Sequence, residues 1–455
     1  MSIAVHVGQC GNQIGAAYWR LAAAAPAKKR PATTAASTLR RHLFHPRSGQ
    51  ARCILVDSEP KVVHAAGVEP AAVHAEQSGR GNNWASGFDL EPNRALVEAT
   101  LESLRSEAEA TDAFQSVLFS LSLGGGTGSG LGSRLLTAVR DSYPRVYLVV
   151  AAVAPSAAAG DTPLQNYNAV LALRHLPELA DVVVYKDNDD LLRSARYWKS
   201  LSHQRGAESS ATGGGPAASP RPPDEGERVS VDELNQLAAG DLAGLTFPTA
   251  AATAFGPTAR PFDAPTLART LCPLPSANFV DVRSGVYLPS QPSRKAAATK
   301  PLLFHGMSSP RDAEPPTALE TLVRRTTQSF ARSMSATIAS TAIVRGFGPS
   351  SDQMAATAAS WLDTTASSRV AWSDAPVVNW SDAPAFTTGS ASVTLGCNNG
   401  HFLPTTRQYL QRARRQFGVR AYVHWYRQSG LEDATFEDAF DHCDALIASY
   451  SELVR

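Results

Sequence analysis

Short apolar segments alternate, along the first part of the chain, with longer segments in which apolar residues recur every three or four positions. The short segments predict strands, and they include "IAVHVG", "RCILVDS", "SVLFSLSL", "VYLVVAAVA" and "ADVVVYKD". The longer segments, such as "QIGAAYWRLAAAA" and "NRALVEATLESLRSEAEA", predict amphipathic helices. Several strands are apolar throughout, as expected when helices cover both faces of a sheet. The pattern therefore predicts an α/β fold with a doubly wound parallel sheet, which binds ligands at the carboxyl ends of its strands.

Changes in composition divide the chain into three parts. We predict an α/β domain over residues 1–245, a smaller α+β domain over 246–396 and a helical region over 397–455. Two Pro-, Ser- and Gly-rich stretches, 203–228 and 289–316, are predicted to be insertions, the first of them disordered, because they hold little apolar surface. The apolar positions Phe436, Phe440, Cys443, Ile447 and Tyr450 form one stripe of a final helix.

Charge and cysteine content exclude several classes of protein. Lys and Arg total 42 and Asp and Glu total 41, so no large net charge attracts nucleic acid or a membrane surface. We also expect no membrane-spanning segment and no signal peptide, hence a cytosolic protein. The five cysteines are scattered and never form C-x-x-C, which predicts reduced thiols rather than disulfides or a zinc site.

The stretch "VLFSLSLGGGTGSGLGSRLLTAV" runs from an apolar strand through six glycines in nine residues into a helical pattern. Glycines let the backbone approach an anion, and the N–H groups at the start of a helix attract one. The stretch contains no lysine, unlike a Walker A loop. Taken alone, it is equally compatible with a plain tight turn.

Three further stretches follow predicted strands or approach the same edge. "HVGQCGNQIG" repeats the glycine arrangement before a helix, "LVDSEP" places Asp57 and Glu59 after a buried strand, and "GRGNNWA" forms another glycine loop. Carboxylates at such a place can hold Mg²⁺ through its water ligands. Together these stretches favour a nucleoside triphosphate site.

The motifs "GGGTGSG", "GQCGNQIG" and "GNNWA" resemble those of the tubulin family of GTP-binding proteins, whose phosphate loop lacks the Walker lysine. The resemblance continues through "QNYNAVLAL" and "KDND" to "AYVHWYRQSGLEDATFEDAF". Within the family, "VDSEPKVV", "GRGNNWASGF" and "ATIASTAIVRG" are most similar to delta-tubulin.

The resemblance implies a set of binding residues and cofactors, GTP and Mg²⁺. The first domain would bind GTP and end in a core helix. Glu59 with Asp57 would serve Mg²⁺, Asp161 the sugar, and Asn188 and Asn235 the guanine base. The residues implied at the phosphates are Gln9, Cys10, Asn82, Gly124, Gly125, Gly126, Thr127, Gly128 and Ser129.

Two positions depart from the family pattern. Val231 stands where relatives place an aromatic ring under the base, and stacking on such a ring contributes roughly 1–3 kcal/mol in nucleic-acid complexes. Thr266 stands where an acidic residue would complete GTP hydrolysis on the neighbouring subunit. Asp263 is the candidate substitute for that acid, although it matches a structural position.

Two clusters admit a functional and a structural interpretation. Cys10 is a reactive thiol or a small packing residue, and packing is the more frequent role of a free cysteine. Four arginines of the C-terminal region either meet an acidic partner or form a solvated helix face: Arg412, Arg414, Arg415 and Arg420.

The resemblance leaves two hypotheses about function. The protein is a GTP-binding assembly component of microtubules, with weak GTPase activity at most, or an adaptor that uses the same fold with little turnover. The implied partners are alpha-, beta- or other tubulins and centriolar or basal body proteins. The implied location is the cytoskeleton, in centrioles, basal bodies and cilia or flagella.

Overall fold

A computed structural model describes most of the chain. The described residues are 2–24, 40–60, 69–111, 113–158, 160, 162–210, 228–247, 263–288, 306–308, 321–326, 336–346, 356–358, 360, 369–374, 376–381 and 391–455.

The strands and helices follow the predicted alternation. The strands are β1 (Ser2–Val7), β2 (Ala51–Asp57), β3 (Pro70–Ala75), β4 (Ser116–Ser122), β5 (Tyr147–Ala154), β6 (Val182–Asp187), β7 (Phe279–Leu288), β8 (Gly306–Ser308), β9 (Ala339–Arg345), β10 (Val377–Ser381) and β11 (Ala391–Asn398). The helices are α1 (Gly8–Ala24), α2 (Trp84–Phe88), α3 (Leu90–Glu109), α4 (Gly132–Ser142), α5 (Gln165–Leu179), α6 (Asn188–Ser210), α7 (Val231–Thr246), α8 (Ala264–Leu271), α9 (Leu403–Gly418), α10 (Val423–Gln428) and α11 (Asp433–Leu453). A π-helical turn, Thr127–Leu131, precedes α4.

The first six strands form the predicted parallel sheet. Their order is β6-β5-β4-β1-β2-β3, and every neighbouring pair is parallel. The order reverses at β1 and β4, and this reversal opens a crevice at their carboxyl ends. The predicted α/β class with a doubly wound sheet is confirmed.

Alternate residues of β1 enter two separate apolar cores. Ile3 and Val5 pack on one face with residues of α3, α4, α5 and α11, whereas Ala4 packs on the other face with residues of α1 and α7. Both faces of the strand are therefore buried, which explains why its sequence is mostly apolar.

β7 joins the two predicted domains into one continuous sheet. Phe279 and Val280 pair in parallel with β6, and the rest of β7 pairs with β11, whose other neighbour is β9. A buried salt bridge lies beside this junction: Lys186 Nζ, at the end of β6, is 2.6 Å from the Asp241 carboxylate on α7. The smaller α+β part thus continues the edge of the first sheet.

The predicted insertions fall mostly outside the described residues. Of 203–228, residues 211–227 are outside, but residues 203–210 continue α6 to Ser210, where the prediction was disorder. Gln, Arg, Ala and Glu in this segment have high helix propensity, and they extend a helix that has already begun. Of 289–316, only β8 is described.

The C-terminal helices pack on the parallel sheet's helical layer. Four residues of the predicted α11 stripe are buried and Ile447 is partly buried against the same core. No helix in the described ranges has both the length and the apolar character needed to cross a bilayer.

His6 provides a test of the core on β1. Its ring is fully buried, Nε2 accepts a hydrogen bond from Trp19 Nε1 at 3.0 Å, and burial lowers its pKa to about 3. The unfolded chain, with a histidine pKa near 6.5, binds more protons than the folded chain below that pH, so stability falls as pH decreases. We expect this site to remove up to about 2 kcal/mol of unfolding free energy between pH 7 and pH 5.

Urea denaturation of wild type and His6→Gln at both pH values measures the effect. Glutamine can still accept the Trp19 hydrogen bond but does not titrate. The variant should lose less stability on acidification, and equal losses in the two proteins would contradict this assignment.

Candidate functional site

Two helix starts meet at the carboxyl edge of neighbouring strands β1 and β4. α1 begins at Gly8, directly after β1, and the π-helical turn begins at Thr127, shortly after β4. The first N–H groups of a helix have no acceptor inside that helix, and the helix dipole adds positive potential there. Helical turns of the π type are frequent at functional sites. The edge can therefore hold an anion with backbone groups.

Glycines allow the loops at this edge to touch backbone to backbone. Gly8 has a φ of +74°, and a Cβ on it would lie 2.9 Å from the Gly128 nitrogen. A Cβ on Gly130 would lie 2.1 Å from the Trp84 carbonyl oxygen, and one on Gly126 2.6 Å from the Asn83 nitrogen. At Gly125, by contrast, the nearest atom to such a Cβ is Asn82 Oδ1 at 3.9 Å. The glycine loop is thus packed on one side and open at Gly125.

Serine and threonine hydroxyl groups hold the glycine loop by hydrogen bonds. Ser58 and Thr127 share a hydrogen bond of 2.6 Å between their hydroxyl oxygens, and the Gly124 nitrogen donates to Ser122 Oγ at 3.2 Å. Ser129 is fully buried, and its hydroxyl donates to the Gly125 carbonyl. Thr127 and Ser129 therefore serve the loop's own geometry, beside any role toward a ligand.

Asp57 and Glu59 differ in their surroundings. Asp57 is buried, its Oδ1 accepts from the Glu59 nitrogen at 3.2 Å, and its Oδ2 accepts from Asn12 Nδ2 at 3.4 Å. Burial raises the pKa of the Asp57 carboxyl. Glu59 is exposed.

In the described ranges, His, Cys, Asp and Glu do not form a group of three or more that could hold a metal ion. Since Mg²⁺ keeps several waters and binds one or two carboxylates together with substrate phosphates, this pair fits Mg²⁺ only beside a phosphate group.

Asn168 on α5 is a site residue that the sequence interpretation missed. It is fully buried, and its Nδ2 donates to the carbonyl oxygens of Asn82 at 2.7 Å and Gly124 at 2.8 Å. Asn82 itself is exposed and has a φ of 52°. The available signal was the polar "QNYN" motif at the start of a helix that continues with the apolar residues "AVLAL".

Asp189, which lies shortly after the end of β6, holds the loop that follows β5. Asp189 accepts hydrogen bonds from Ser156 Oγ at 2.5 Å and from the Ala157 and Ala158 nitrogens at 2.8 and 3.1 Å. The sequence interpretation also missed Asp189. Asp161, the predicted sugar residue, lies outside the described residues.

The two predicted base residues lie on different helices. Asn188 is the first residue of α6, and Asn235 lies in the second turn of α7, where its Nδ2 donates to Gln13 Oε1 at 3.0 Å. Val231, the first residue of α7, is 66% exposed. Val231 therefore lies on a solvent-exposed surface of the described part of the site.

Comparison with known proteins identifies the first part of the chain. A family model described as "Tubulin/FtsZ family, GTPase domain" matches residues 2–196, which include the glycine loop, β1 to β6 and the start of α6. Residues 2–196 are therefore similar to a Tubulin/FtsZ family GTPase domain, and we refer to them as the GTPase domain.

Curated relatives of this GTPase domain are beta-tubulins. The chain is 33% identical over 259 residues to the tubulin beta-1 chain of Geotrichum candidum, covering 54% of this chain and 52% of the relative. It is 36% identical over 202 residues to the tubulin beta chain of Porphyra purpurea, covering 41% and 44%. The chain spans about half the length of the curated relatives it matches.

The first loop of the GTPase domain contains Gln9 and Cys10. Gln9 is exposed, and its neighbour Gly8 lies against the glycine loop. Burial raises the pKa of the Cys10 thiol to about 12, and the residue packs on the core between α1 and α7. A thiol with this pKa is not ionised at neutral pH, which supports the packing role.

The arginines of the C-terminal region have partners within the chain. Arg412 donates to the Ala157 carbonyl at 2.5 Å, Arg414 pairs with Asp444 at 2.6 Å, and Arg420 pairs with Asp433 at 2.5 Å. For these three, the contacts favour the structural interpretation. Arg412 additionally joins α9 to a loop of the GTPase domain.

The glycine loop of the GTPase domain provides a matched pair of substitutions. Gly130→Ala should lower the free energy of unfolding by about 2 kcal/mol, because its Cβ meets the Trp84 carbonyl and the backbone has to shift. Gly125→Ala should change it by less than about 0.5 kcal/mol, since the space there is open. Urea denaturation measures both, and a cost at Gly125 equal to that at Gly130 would be inconsistent with the described packing.

Proposed function

We propose that the chain is a GTP-binding cytoskeletal protein whose glycine loop holds the phosphates of GTP with Mg²⁺. The convergence of two helix starts on one open glycine loop carries this proposal. Backbone N–H groups supply the donors that a lysine supplies in a Walker loop.

Each neighbouring residue has a role consistent with its surroundings. The open space at Gly125 and the exposed Gln9 border the phosphate position, with Asn82 opposite. Exposed Glu59 would contact the water shell of Mg²⁺, and the Asp57 carboxylate accepts a hydrogen bond from the Glu59 nitrogen. Bound Mg²⁺ would neutralise phosphate charge at this edge.

The base and sugar would lie toward α6 and α7. Asn188 and Asn235 carry amides, which offer a donor and an acceptor to guanine. Asp161 would contact the sugar. Because Val231 replaces an aromatic ring, we propose weaker nucleotide binding than in a protein that stacks the base.

The proposed partners are alpha-, beta- or other tubulins and centriolar or basal body proteins. Similarity to beta-tubulin chains supports the first group. The delta-tubulin-like segments named above support placement in centrioles, basal bodies and the triplet microtubules of cilia or flagella. Cytoplasmic and cytoskeletal localisation follows from the same proposal.

GTP binding is tested with Gly125→Val. A Cβ at this position meets only Asn82 Oδ1, at 3.9 Å, so we expect valine to fit the fold but to occupy the space over the loop, and GTP affinity should fall at least tenfold without loss of folding. Gly418→Val is the matched control, because a Cβ there meets no atom within 4 Å and the residue lies at the end of α9. Titration with GTP, GDP and ATP in the presence of Mg²⁺ measures affinity and base selectivity.

Selective GTP binding by wild type and the control, lost in Gly125→Val, supports the proposal. Equal affinity in all three proteins, or no binding of GTP to folded wild type, contradicts it. The second result favours the second candidate function, an adaptor without nucleotide turnover, to which the exposed Val231 already points.

Hydrolysis on a neighbouring subunit is proposed to be absent, because the chain has Thr266 at the acidic position. Asp263, the candidate substitute, caps α8: its carboxylate accepts from the Thr266 nitrogen at 3.0 Å. A threonine hydroxyl is not a base at neutral pH, and the Asp263 carboxylate is already used by the helix.

Asp263→Ala should therefore leave GTP turnover unchanged, alone and with added tubulin, while lowering the free energy of unfolding by about 1 kcal/mol. Phosphate release and urea denaturation are the two measurements. Tubulin-stimulated turnover in wild type that disappears in Asp263→Ala would show that Asp263 is the hydrolytic acid after all.

A further inference from the structure

Asn168 has four hydrogen-bonding partners in three different parts of the structure. Its Nδ2 donates to the Asn82 and Gly124 carbonyls, and its Oδ1 accepts from the Trp84 nitrogen at 2.9 Å and from the Tyr426 hydroxyl at 2.6 Å. A carboxamide offers two N–H donors and two acceptor lone pairs, so its capacity is used completely. The partners also fix its orientation, because a flipped amide would point N–H groups at two donors.

The four partners lie in the glycine loop, at the start of α2 and in one helix of the C-terminal region. Gly124 opens the glycine loop, Asn82 lies in the turn before α2, and Trp84 is the first residue of α2. Tyr426 lies on α10, outside the segment matched by the GTPase family model.

Further contacts tie α10 to the same loops. Asn83 Nδ2 donates to the Trp425 carbonyl at 3.0 Å, and the Tyr167 hydroxyl donates to the Ala421 carbonyl at 3.1 Å. The Trp425 side chain is itself 44% exposed. These contacts connect the loop backbone to a helix at the protein surface.

We propose that Asn168 is a positioning residue that holds the glycine loop, the Asn82 turn and α10 as one hydrogen-bonded unit. This inference rests on the proposed GTP site. Asn168 presets the distance between the two loops that flank the phosphates, and nucleotide binding and the order of α10 are coupled through it. Because such coupling is reciprocal, fixing α10 also strengthens nucleotide binding.

Asn278 offers a matched control for a merely structural role. It is equally buried, and its Nδ2 also donates to two backbone carbonyls, those of Pro177 at 3.1 Å and Ala180 at 2.8 Å. Those carbonyls lie at the C-terminal end of α5, whereas Asn168 lies in its first turn. Changing either asparagine to aspartate removes two donors and places a carboxylate against two carbonyl oxygens.

The experiment compares wild type, Asn168→Asp and Asn278→Asp by three measurements. These are urea denaturation, GTP and GDP affinity, and hydrogen exchange of residues 123–131 and 423–428 without nucleotide. Both variants should lose stability, but only Asn168→Asp should lose nucleotide affinity, by at least tenfold, and increase exchange in both segments. Equal loss of affinity in the two variants, or unchanged exchange in Asn168→Asp, would overturn the inference.

Tyr426→Phe separates the link to α10 from the link to the loops. It removes one donor to Asn168 and leaves both Nδ2 hydrogen bonds in place. Exchange in 423–428 should increase, and affinity should fall less than in Asn168→Asp. Unchanged hydrogen exchange in α10 would contradict the proposed coupling between nucleotide binding and this helix.

The exchange measurement also separates this inference from the proposed function. If folded wild type binds no GTP but Asn168→Asp alone loosens the glycine loop and α10, the proposed function fails and the hydrogen-bonded unit stands. If wild type binds GTP and the two aspartate variants behave alike, the inference fails and the GTP site stands.

Discussion

Backbone contact between loops at the carboxyl edge of the sheet is the constraint on which the site depends. The loops after β1 and β4 and the turn before α2 approach so closely that a Cβ on Gly8, Gly126 or Gly130 would fall within 2.9 Å of a neighbouring backbone atom. Side chains cannot separate these loops, so peptide groups form the surface of the edge. A glycine at such a position is required by the space and not by flexibility.

This packing decides what kind of chemistry the edge can perform. Peptide N–H groups and helix starts bind anions without a cationic side chain, which matches the absence of lysine from the loop. The charged groups nearby are carboxylates, and they are suited to a metal ion that accompanies a phosphate. The edge therefore combines backbone groups that can bind an anion with carboxylates that can hold a metal ion, the combination that a nucleotide site requires.

The C-terminal helices complete the site from outside the GTPase domain. Tyr426 reaches Asn168, Arg412 reaches the loop after β5, and β7 extends the parallel sheet into the smaller α+β part. The segment that matches the GTPase family model is thus held by residues that come later in the chain.

The sequence alone determined the parallel sheet, the glycine loop and the acidic strand end, because these depend on local periodicity and on glycines close in sequence. Helix α6 extends beyond the predicted boundary, since polar residues of good helix propensity continued it into a segment read as disordered. Only the tertiary structure identified Asn168 and Asp189, because their importance lies in partners far along the chain, including Tyr426. It likewise showed that Asp263 caps a helix, since a carboxylate's role is set by the donor it meets and not by its residue type.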